Sequence, residues 1–229
     1  MTTNGHPPLA RVAICTPCQD MVCAGYTYDL ARLVATMARQ APEIEITIHQ
    51  NRGTIIPQQR ATLVHSAREA QATHILWVDS DMRFPPDTLI RLLEHGQPIV
   101  AANYPTRRAP ILPTAEHREL GYLFTPADAS GLAEVTHCGM GLMLTAMQVF
   151  DATPEPWFIV GYNRRDREYS GEDFFFCSQA KQAGFPTLID QALSVPVRHT
   201  GQMEYTNAHA VLTRDTYNAI EPTKPVLVT

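Results

Sequence analysis

Lysine is nearly missing from this 229-residue chain: of its 18 basic residues only Lys181 and Lys224 are lysines. The other basic side chains are guanidiniums scattered without a block, and 23 acidic residues leave a formal net charge of −5. That balance excludes a histone-like or polybasic nucleic-acid binder, although not a local basic groove. The arginine skew reads either as anionic ligands, which guanidiniums grip bidentately, or as a plain compositional bias. Long apolar runs are also lacking. The stretches Ile75–Val78 and Ile99–Ala102 fall far short of the roughly 18 residues of a membrane-spanning helix. The first eight residues carry neither the basic nor the hydrophobic region of a signal peptide, so the expected location is the cytosol. Cysteine is sparse and odd in number (Cys15, Cys18, Cys23, Cys138, Cys177), which fits a reducing compartment. Cys15 and Cys18 have the spacing of a redox or zinc half-site, but no second CxxC or HxxxH follows.

What is present is enough apolar material, 45% of residues, to bury a full core without metal or disulfide staples. Arg11–Cys15 reads as a buried strand ending at Thr16-Pro17, and Tyr28–Gln40 as a helix with Leu30, Leu33, Val34 and Met37 at helical spacing. Ile44–His49 alternates like a strand and leads into an Asn51-Arg52-Gly53 loop. Gln58–Ala72 is a second helix, His74–Val78 a third strand, Thr88–His95 a third helix and Pro98–Ala102 a fourth strand. Strands alternating with helices at this rhythm predict a mostly parallel α/β sheet covered on both faces. Residues 104–137 break the rhythm with Pro, Thr and short β-like pieces at Glu119–Phe124 and Glu134–His137. A helix is expected over Glu172–Ala183, and strand-like segments at Thr187–Ile189 and Ser194–Val197. The chain therefore reads as one domain, with a nucleotide-type half over 9–103, a more irregular half over 104–202 and a tail over 203–229.

The segment His74–Met82 carries the most chemistry. In an open α/β sheet ligands bind beyond the carboxyl ends of strands, where Asp79 and Asp81 would stand. Carboxylates at i and i+2 can converge on one Mg²⁺ or Mn²⁺ ion shared with substrate phosphates, and such an ion neutralises charge on a departing diphosphate. The bland alternative is an Asp-Ser-Asp turn that ends a strand. A third reading is a phosphatase of the haloacid-dehalogenase type. Those enzymes carry Thr or Val where this chain has Arg83, and their dyad follows the first strand rather than the third.

Ile75–Met82 resembles the DxD segment of GT-A glycosyltransferases of the family 2 type, and the order of other pieces resembles the same group. Thr16-Pro17 ends the first strand, and Gln58-Gln59-Arg60-Ala61 stands on the helix before the DxD strand. Downstream come Cys138-Gly139-Met140-Gly141, then Pro156-Trp157-Phe158, then Gly171-Glu172-Asp173 with its aromatic run, then Gly184 and Val197-Arg198-His199-Thr200-Gly201. The resemblance spans roughly residues 10–202 and implies a GT-A, Rossmann-like sheet with an irregular acceptor-side second half.

It also implies roles. The family's DxD site would place Asp79 and Asp81, with His199 as third ligand, on Mn²⁺ or Mg²⁺. Asp173 would be the base that takes the acceptor's proton in an inverting transfer, with Glu172 positioning the acceptor; the alternative is that both acids merely complement the helix dipole. Thr16, Pro17, Asn51, Arg52, Arg60, Asp79 and Ser80 would bind a nucleoside-diphosphate sugar. In place of the family's usual acidic residue after strand two stands Asn51-Arg52-Gly53. Gly139 would let backbone approach the acceptor, or mark a turn; Trp157 would wall a sugar ring, or fill the core. Arg164, Arg165 and Arg167 read as a loop that folds over the site or as a mobile polar loop, while Arg107 and Arg108 carry no separate signal. The function implied is a metal-dependent transferase acting on a hydroxyl acceptor (a sugar, a protein or a modified nucleobase). A non-catalytic nucleotide-sugar-binding protein is the competing class.

Overall fold

A computed structural model describes residues 10–107, 111–164 and 167–202. The tail 203–229, Arg108 and Arg165 lie outside the described residues. In chain order the elements are β1 (Arg11–Cys18), α1 (Ala24–Gln40), β2 (Glu45–Arg52), α2 (Ile56–Glu69), β3 (His74–Val78), β4 (Met82–Arg83), α3 (Thr88–Glu94), β5 (Ile99–Ala101), β6 (Glu116–His117), β7 (Gly121–Tyr122), β8 (Leu132–Val135), β9 (Leu142–Ala146), α4 (Met147–Ala152), β10 (Gly161–Asn163), β11 (Glu168–Ser170), α5 (Glu172–Gln182), β12 (Thr187–Asp190), α6 (Gln191–Ser194) and β13 (Arg198–His199).

A seven-stranded sheet in the order β2-β1-β3-β9-β5-β12-β8 organises the chain. Five strands run one way, while β9, in the middle, and β8, at one edge, run against them. The class is thus α/β with a mostly parallel sheet flanked by helices, as the alternation of elements predicts. Successive strand residues point to opposite faces, and the core splits accordingly. Ala13, Cys15, Ile75, Trp77, Ile99 and Ala101 pack with Leu63, Val64 and Ala67 of α2 and Phe176 of α5. Val12, Ile14, Leu76, Val78 and Val100 pack with Tyr26, Leu33 and Met37 of α1 and Leu89 and Leu92 of α3. Each fully buried Leu or Met on these faces contributes about 1.5–3 kcal/mol.

Several boundaries differ from the sequence expectation for physical reasons. Pro17 lies inside β1, which runs on to Cys18; β3 pairs with β1 only as far as Cys15, so the missing N–H of Pro17 falls where one side of the strand is an edge. Asn51 and Arg52 are the last residues of β2 rather than a loop. The antiparallel strand β9 is not signalled by alternation because both its faces are covered and all five residues are buried, the pattern of an interior strand. Ser194–Val197 is not a strand. Asp190 caps the short helix α6 instead, its Oδ1 accepting from Leu193 N at 2.8 Å while Ser194 Oγ donates to the Asp190 carbonyl at 2.6 Å. Among the described residues no helix is long and apolar enough to cross a membrane.

Candidate functional site

At the carboxyl ends of β1 and β3 lies a cleft of about 470 Å³ lined by Pro17, Cys18, Gln19, Met21, Ile56, Arg60, Asp79, Ser80, Asp81, Tyr104, Arg107, Met140, Glu172, Asp173 and His199. The strand ends put it there. Asp79 N donates to Gly141 O at 3.0 Å, and Met82 N donates back to Asp79 O at 3.1 Å, so Asp79-Ser80-Asp81 is a tight turn and a cleft wall at once. The chain leaves that turn as β4, which pairs antiparallel with β13 and sets His199 opposite Met82. That pairing brings a histidine from the far end of the fold to Asp81. On the other wall α5 opens with Glu172 and Asp173 in its first turn. Its aromatic run fixes it: Phe174 stacks on His137 at 3.7 Å, and Phe176 packs against Phe150 and Phe158.

Arg60 ties the two walls together. Its Nη2 donates to Asp79 Oδ1 and its Nε to Glu172 Oε1, both at 3.0 Å, and its guanidinium lies 5.5 Å from the Trp77 ring centre. Burial works against its charge, but Asp79 and Glu172 outweigh it and hold the guanidinium firmly protonated. Its Nη1 is buried without a partner, so both N–H groups of that nitrogen are without an acceptor. Arg60, expected at the donor nucleotide, spends two of its five N–H donors on carboxylates, one each to Asp79 and Glu172. Asp173 completes this cluster. Burial first, then the neighbouring Glu172, pushes its carboxyl up to about 6, against the pull of Arg60 and a hydrogen bond from Phe174 N at 2.9 Å. A carboxyl so raised is a usable base near neutral pH.

Asp81 has different partners. Arg107 Nη1 stands 2.6 Å from its Oδ2, and His199 Nε2 lies 3.5 Å from Oδ1, which is buried with no hydrogen bond. Burial alone would raise this carboxyl, but His199 and Arg107 hold it below the usual carboxylate range. The Nδ1–H of His199 donates to the Pro105 carbonyl at 3.0 Å, which leaves Nε2 facing Asp81. A ligating imidazole is oriented in this way, with its second nitrogen held by a backbone carbonyl.

The expected triad of Asp79, Asp81 and His199 is not assembled. Among the described residues no three His, Cys, Asp or Glu side chains are grouped to hold a metal, because Asp79 turns to Arg60. The remaining pair, Asp81 Oδ1 with no hydrogen bond and His199 Nε2 facing it at 3.5 Å, is of the oxygen and imidazole donor type that suits a Mn²⁺ or Mg²⁺ ion.

Other expected residues sort as follows. Pro17 and Ser80 line the cleft. Thr16 does not: it is fully buried and its hydroxyl bonds Tyr26 Oη at 2.6 Å. Asn51 and Arg52 line a separate hollow of about 380 Å³ with Gln58 and Gln59, and buried Gln59 closes its inner wall by donating to the Cys18 and Asn51 carbonyls. Trp157 is a correction. It is only 2% exposed, packs edge-on against Phe150 at 5.7 Å, and donates to Thr153 O at 3.1 Å, so it fills the core rather than walling a sugar. Gly139 and Gly141 are accounted for by Tyr104: a Cβ at either would collide with its phenol, and Gly141 N donates to the Tyr104 hydroxyl at 2.9 Å. The Cys15-x-x-Cys18 half-site also dissolves, since Cys15 is buried on the sheet with its thiol pushed up to about 12 while Cys18 lines the cleft, and all five cysteines are free thiols.

Two ionisable residues of the cleft carry no functional signal in the sequence. Arg107, read as carrying no signal, is the ion-pair partner of Asp81. Tyr104, three residues past the end of β5, packs edge-on against His199 at 5.2 Å. Burial, then the charges of Asp79 and Asp173, raises its phenol well above the usual value, so it remains a neutral donor. Its one signal is position, three residues beyond a strand's carboxyl end.

No family model matches the chain, and no curated protein sequence matches it. Among solved structures, the crystal structure of A197 from STIV superposes with a TM-score of 0.54 at 16% identity, covering 84% of this chain and 86% of that one. This likeness shows a shared fold. Weaker superpositions are with residues 1–349 of TarS from S. aureus (TM-score 0.41, 13% identity, 79% of this chain and 57% of that one) and with the inositol-1-phosphate CTP transferase from T. maritima (TM-score 0.46, 10% identity, 95% and 99%).

Proposed function

We propose that the protein is a glycosyltransferase of GT-A type that moves a sugar from a nucleoside-diphosphate donor to a hydroxyl acceptor with inversion, using Asp173 as base. The observation that carries the reading is Asp173 itself: a buried carboxyl held at about 6 in the same cleft as the Asp79-Ser80-Asp81 turn. The acceptor hydroxyl gives its proton to the Asp173 carboxylate as its oxygen bonds the anomeric carbon. The bond from that carbon to the donor phosphate breaks, and its electron pair leaves on the diphosphate. Glu172 positions the acceptor and also holds Arg60 in place, and the unpartnered Nη1 of Arg60 would serve the nucleotide's anionic part. Asp81 and His199 would hold a Mn²⁺ or Mg²⁺ ion, which supplies neutralisation of the charge on the diphosphate. Tyr104, a neutral phenol between Asp79 and His199, orients the bound sugar by donating a hydrogen bond.

The test combines a thermal-shift panel of nucleotides and nucleotide sugars in Mn²⁺ with assays of donor hydrolysis and transfer. Wild type is stabilised by its donor and turns it over. Asp173→Asn still binds the donor but loses about 10²–10⁴-fold in transfer, the usual contribution of a positioned base. Transfer at the wild-type rate in that variant removes Asp173 as base. Binding of a nucleotide sugar with neither hydrolysis nor transfer, across an acceptor panel, favours the non-catalytic binding protein instead.

A further inference from the structure

We propose that Arg107 is the resting counter-ion of Asp81, that it exchanges with the divalent cation, and that the displaced guanidinium then engages the donor's diphosphate. The inference rests on Asp81 and His199 as cation ligands in the reading above. The two oxygens of Asp81 are unequally served: Oδ2 carries Arg107 at 2.6 Å, whereas Oδ1 is buried with no hydrogen bond and faces His199 Nε2 at 3.5 Å. A dication seated between Oδ1 and Nε2 would stand one carboxylate's width from the guanidinium, and charges of one sign that close repel. One of them has to move, and Arg107 is built to do so. Its side chain is 49% exposed against 4% for Arg60, so its own charge stays solvated when it leaves, and the dication takes its place on Asp81.

Its second partner is weak, the Thr200 carbonyl at 3.4 Å. Its aliphatic stem lies along Gly201, where a Cβ would come within 3.2 Å of Arg107 Cδ; the glycine leaves that path open. Arg107 also lines both the cleft described above and an adjoining hollow of about 900 Å³ that includes Gln19, Asp20, Met21 and Cys23. A guanidinium released at that partition can reach a phosphate in either space and grip it with two parallel N–H donors. Without nucleotide the arginine therefore opposes the cation, and with a diphosphate present the two act together.

The experiment uses the full chain and follows Mn²⁺ binding by the loss of the free-ion EPR signal without pyrophosphate, then binding of the preformed Mn²⁺–pyrophosphate complex by equilibrium dialysis. Without pyrophosphate, Arg107→Ala and Arg107→Gln bind Mn²⁺ about two- to fivefold more tightly than wild type, the factor that a half-exposed ion pair supplies, while Arg107→Lys stays close to wild type. With pyrophosphate the order reverses, and the Ala and Gln variants bind the Mn²⁺–pyrophosphate complex about tenfold more weakly, as loss of a charge-assisted bidentate contact implies. The crossed signs are the signature, since a purely structural Arg107 would move both affinities in the same direction. In wild type, a Mg²⁺ titration followed through the guanidinium nitrogen-15 resonances releases the slowed C–N rotation of Arg107. Mn²⁺ affinity that is unchanged or weaker in Arg107→Ala, or Arg107 resonances untouched by saturating Mg²⁺, overturns the exchange. Asp81→Asn separates the two levels. If it leaves wild-type Mn²⁺ affinity intact, the cation assignment itself falls; if it abolishes binding while Arg107→Ala changes nothing, only the exchange falls.

Discussion

Asp79 and Asp81 are two residues apart on one turn, yet they belong to two different electrostatic regions. Asp79 joins a closed cluster in which Arg60, 4% exposed, bridges it to Glu172 with Asp173 alongside. Asp81 joins an open one, where a half-exposed Arg107 and the edge of His199 share the carboxylate. The closed cluster keeps its charges in place because Arg60, itself buried, cannot leave without stranding Glu172, 14% exposed, in low dielectric. The open cluster can trade its cation, because Arg107 is half-exposed and water and salt compensate its charge when it leaves. In the proposed reaction, fixed charge would serve a base whose proton affinity must stay constant through turnover, and exchangeable charge would serve a cation and a diphosphate that come and go.

The strongest way to break this contrast is Arg60→Met. Removing the bridge leaves Asp79 and Glu172 facing each other beside Asp173, and unfolding stability should fall by about 3–5 kcal/mol, as for other broken buried pairs. Urea denaturation measures it. Because Arg60 pulls the Asp173 carboxyl down, the lower pH limb of transfer in any surviving protein should move above about 6. A loss under 1 kcal/mol would show that the cluster is not closed.

Asp173→Asn sharpens the same point from the other side. The Asp173 carboxyl rises from 3.8 to about 6 on folding. Between those values the folded state binds the extra proton, so stability falls as pH rises through this window. Asparagine removes that penalty: the variant should be about 2–3 kcal/mol more stable than wild type at pH 8 and no more stable at pH 3. Thermal or urea unfolding across that range decides it, and a difference independent of pH would refute the raised carboxyl. In wild type, transfer should rise through about pH 6 as the base form appears.

Gly141→Ala acts on the seam between the clusters. Its Cβ would stand 2.6 Å from Tyr104 Oη and 3.1 Å from Met82 Sδ, so overpacking should cost about 1–3 kcal/mol. The cost should shrink in a Tyr104→Ala background, because the two sites are in contact and their effects do not add. Equal costs in both backgrounds would exclude Tyr104 as the cause. The smallest effect belongs to the open cluster: Asp81→Asn should change unfolding stability by no more than about 1 kcal/mol while removing Mn²⁺ binding. A large destabilisation would make Asp81 a structural member of the fold.

Residues whose role depends on local pattern were legible before the structure. The Asp79-Ser80-Asp81 turn follows an apolar run that reads as a buried strand, and Glu172-Asp173 opens a helix. Both features are set by neighbours within a few positions. Arg107 and Tyr104 were hidden because residues 104–137 carry no helical or strand period. They reach the cleft only because β5 ends beside it and His199 docks on the Pro105 carbonyl. Trp157 was ambiguous because an aromatic ring looks the same whether it fills a core or walls a ligand. Packing against Phe150 settles it. Gly139 and Gly141 were legible as a place of close approach, but the thing approached is a tyrosine of the same chain.

By itself, then, the sequence determined the alternation of strands and helices, the placing of carboxylates at a strand end and a helix start, and the absence of any long apolar run. These follow from periodicity and composition, which report burial along the chain. The tertiary structure decided the partners. It inserted β9 antiparallel between β3 and β5, joined Arg60 to a glutamate 112 residues away, and gave Asp81 to Arg107 and His199 instead of to Asp79's cluster. Periodicity says that a side chain is buried or exposed; strand order and crossing geometry say which charge it meets, and that meeting sets what the site can do.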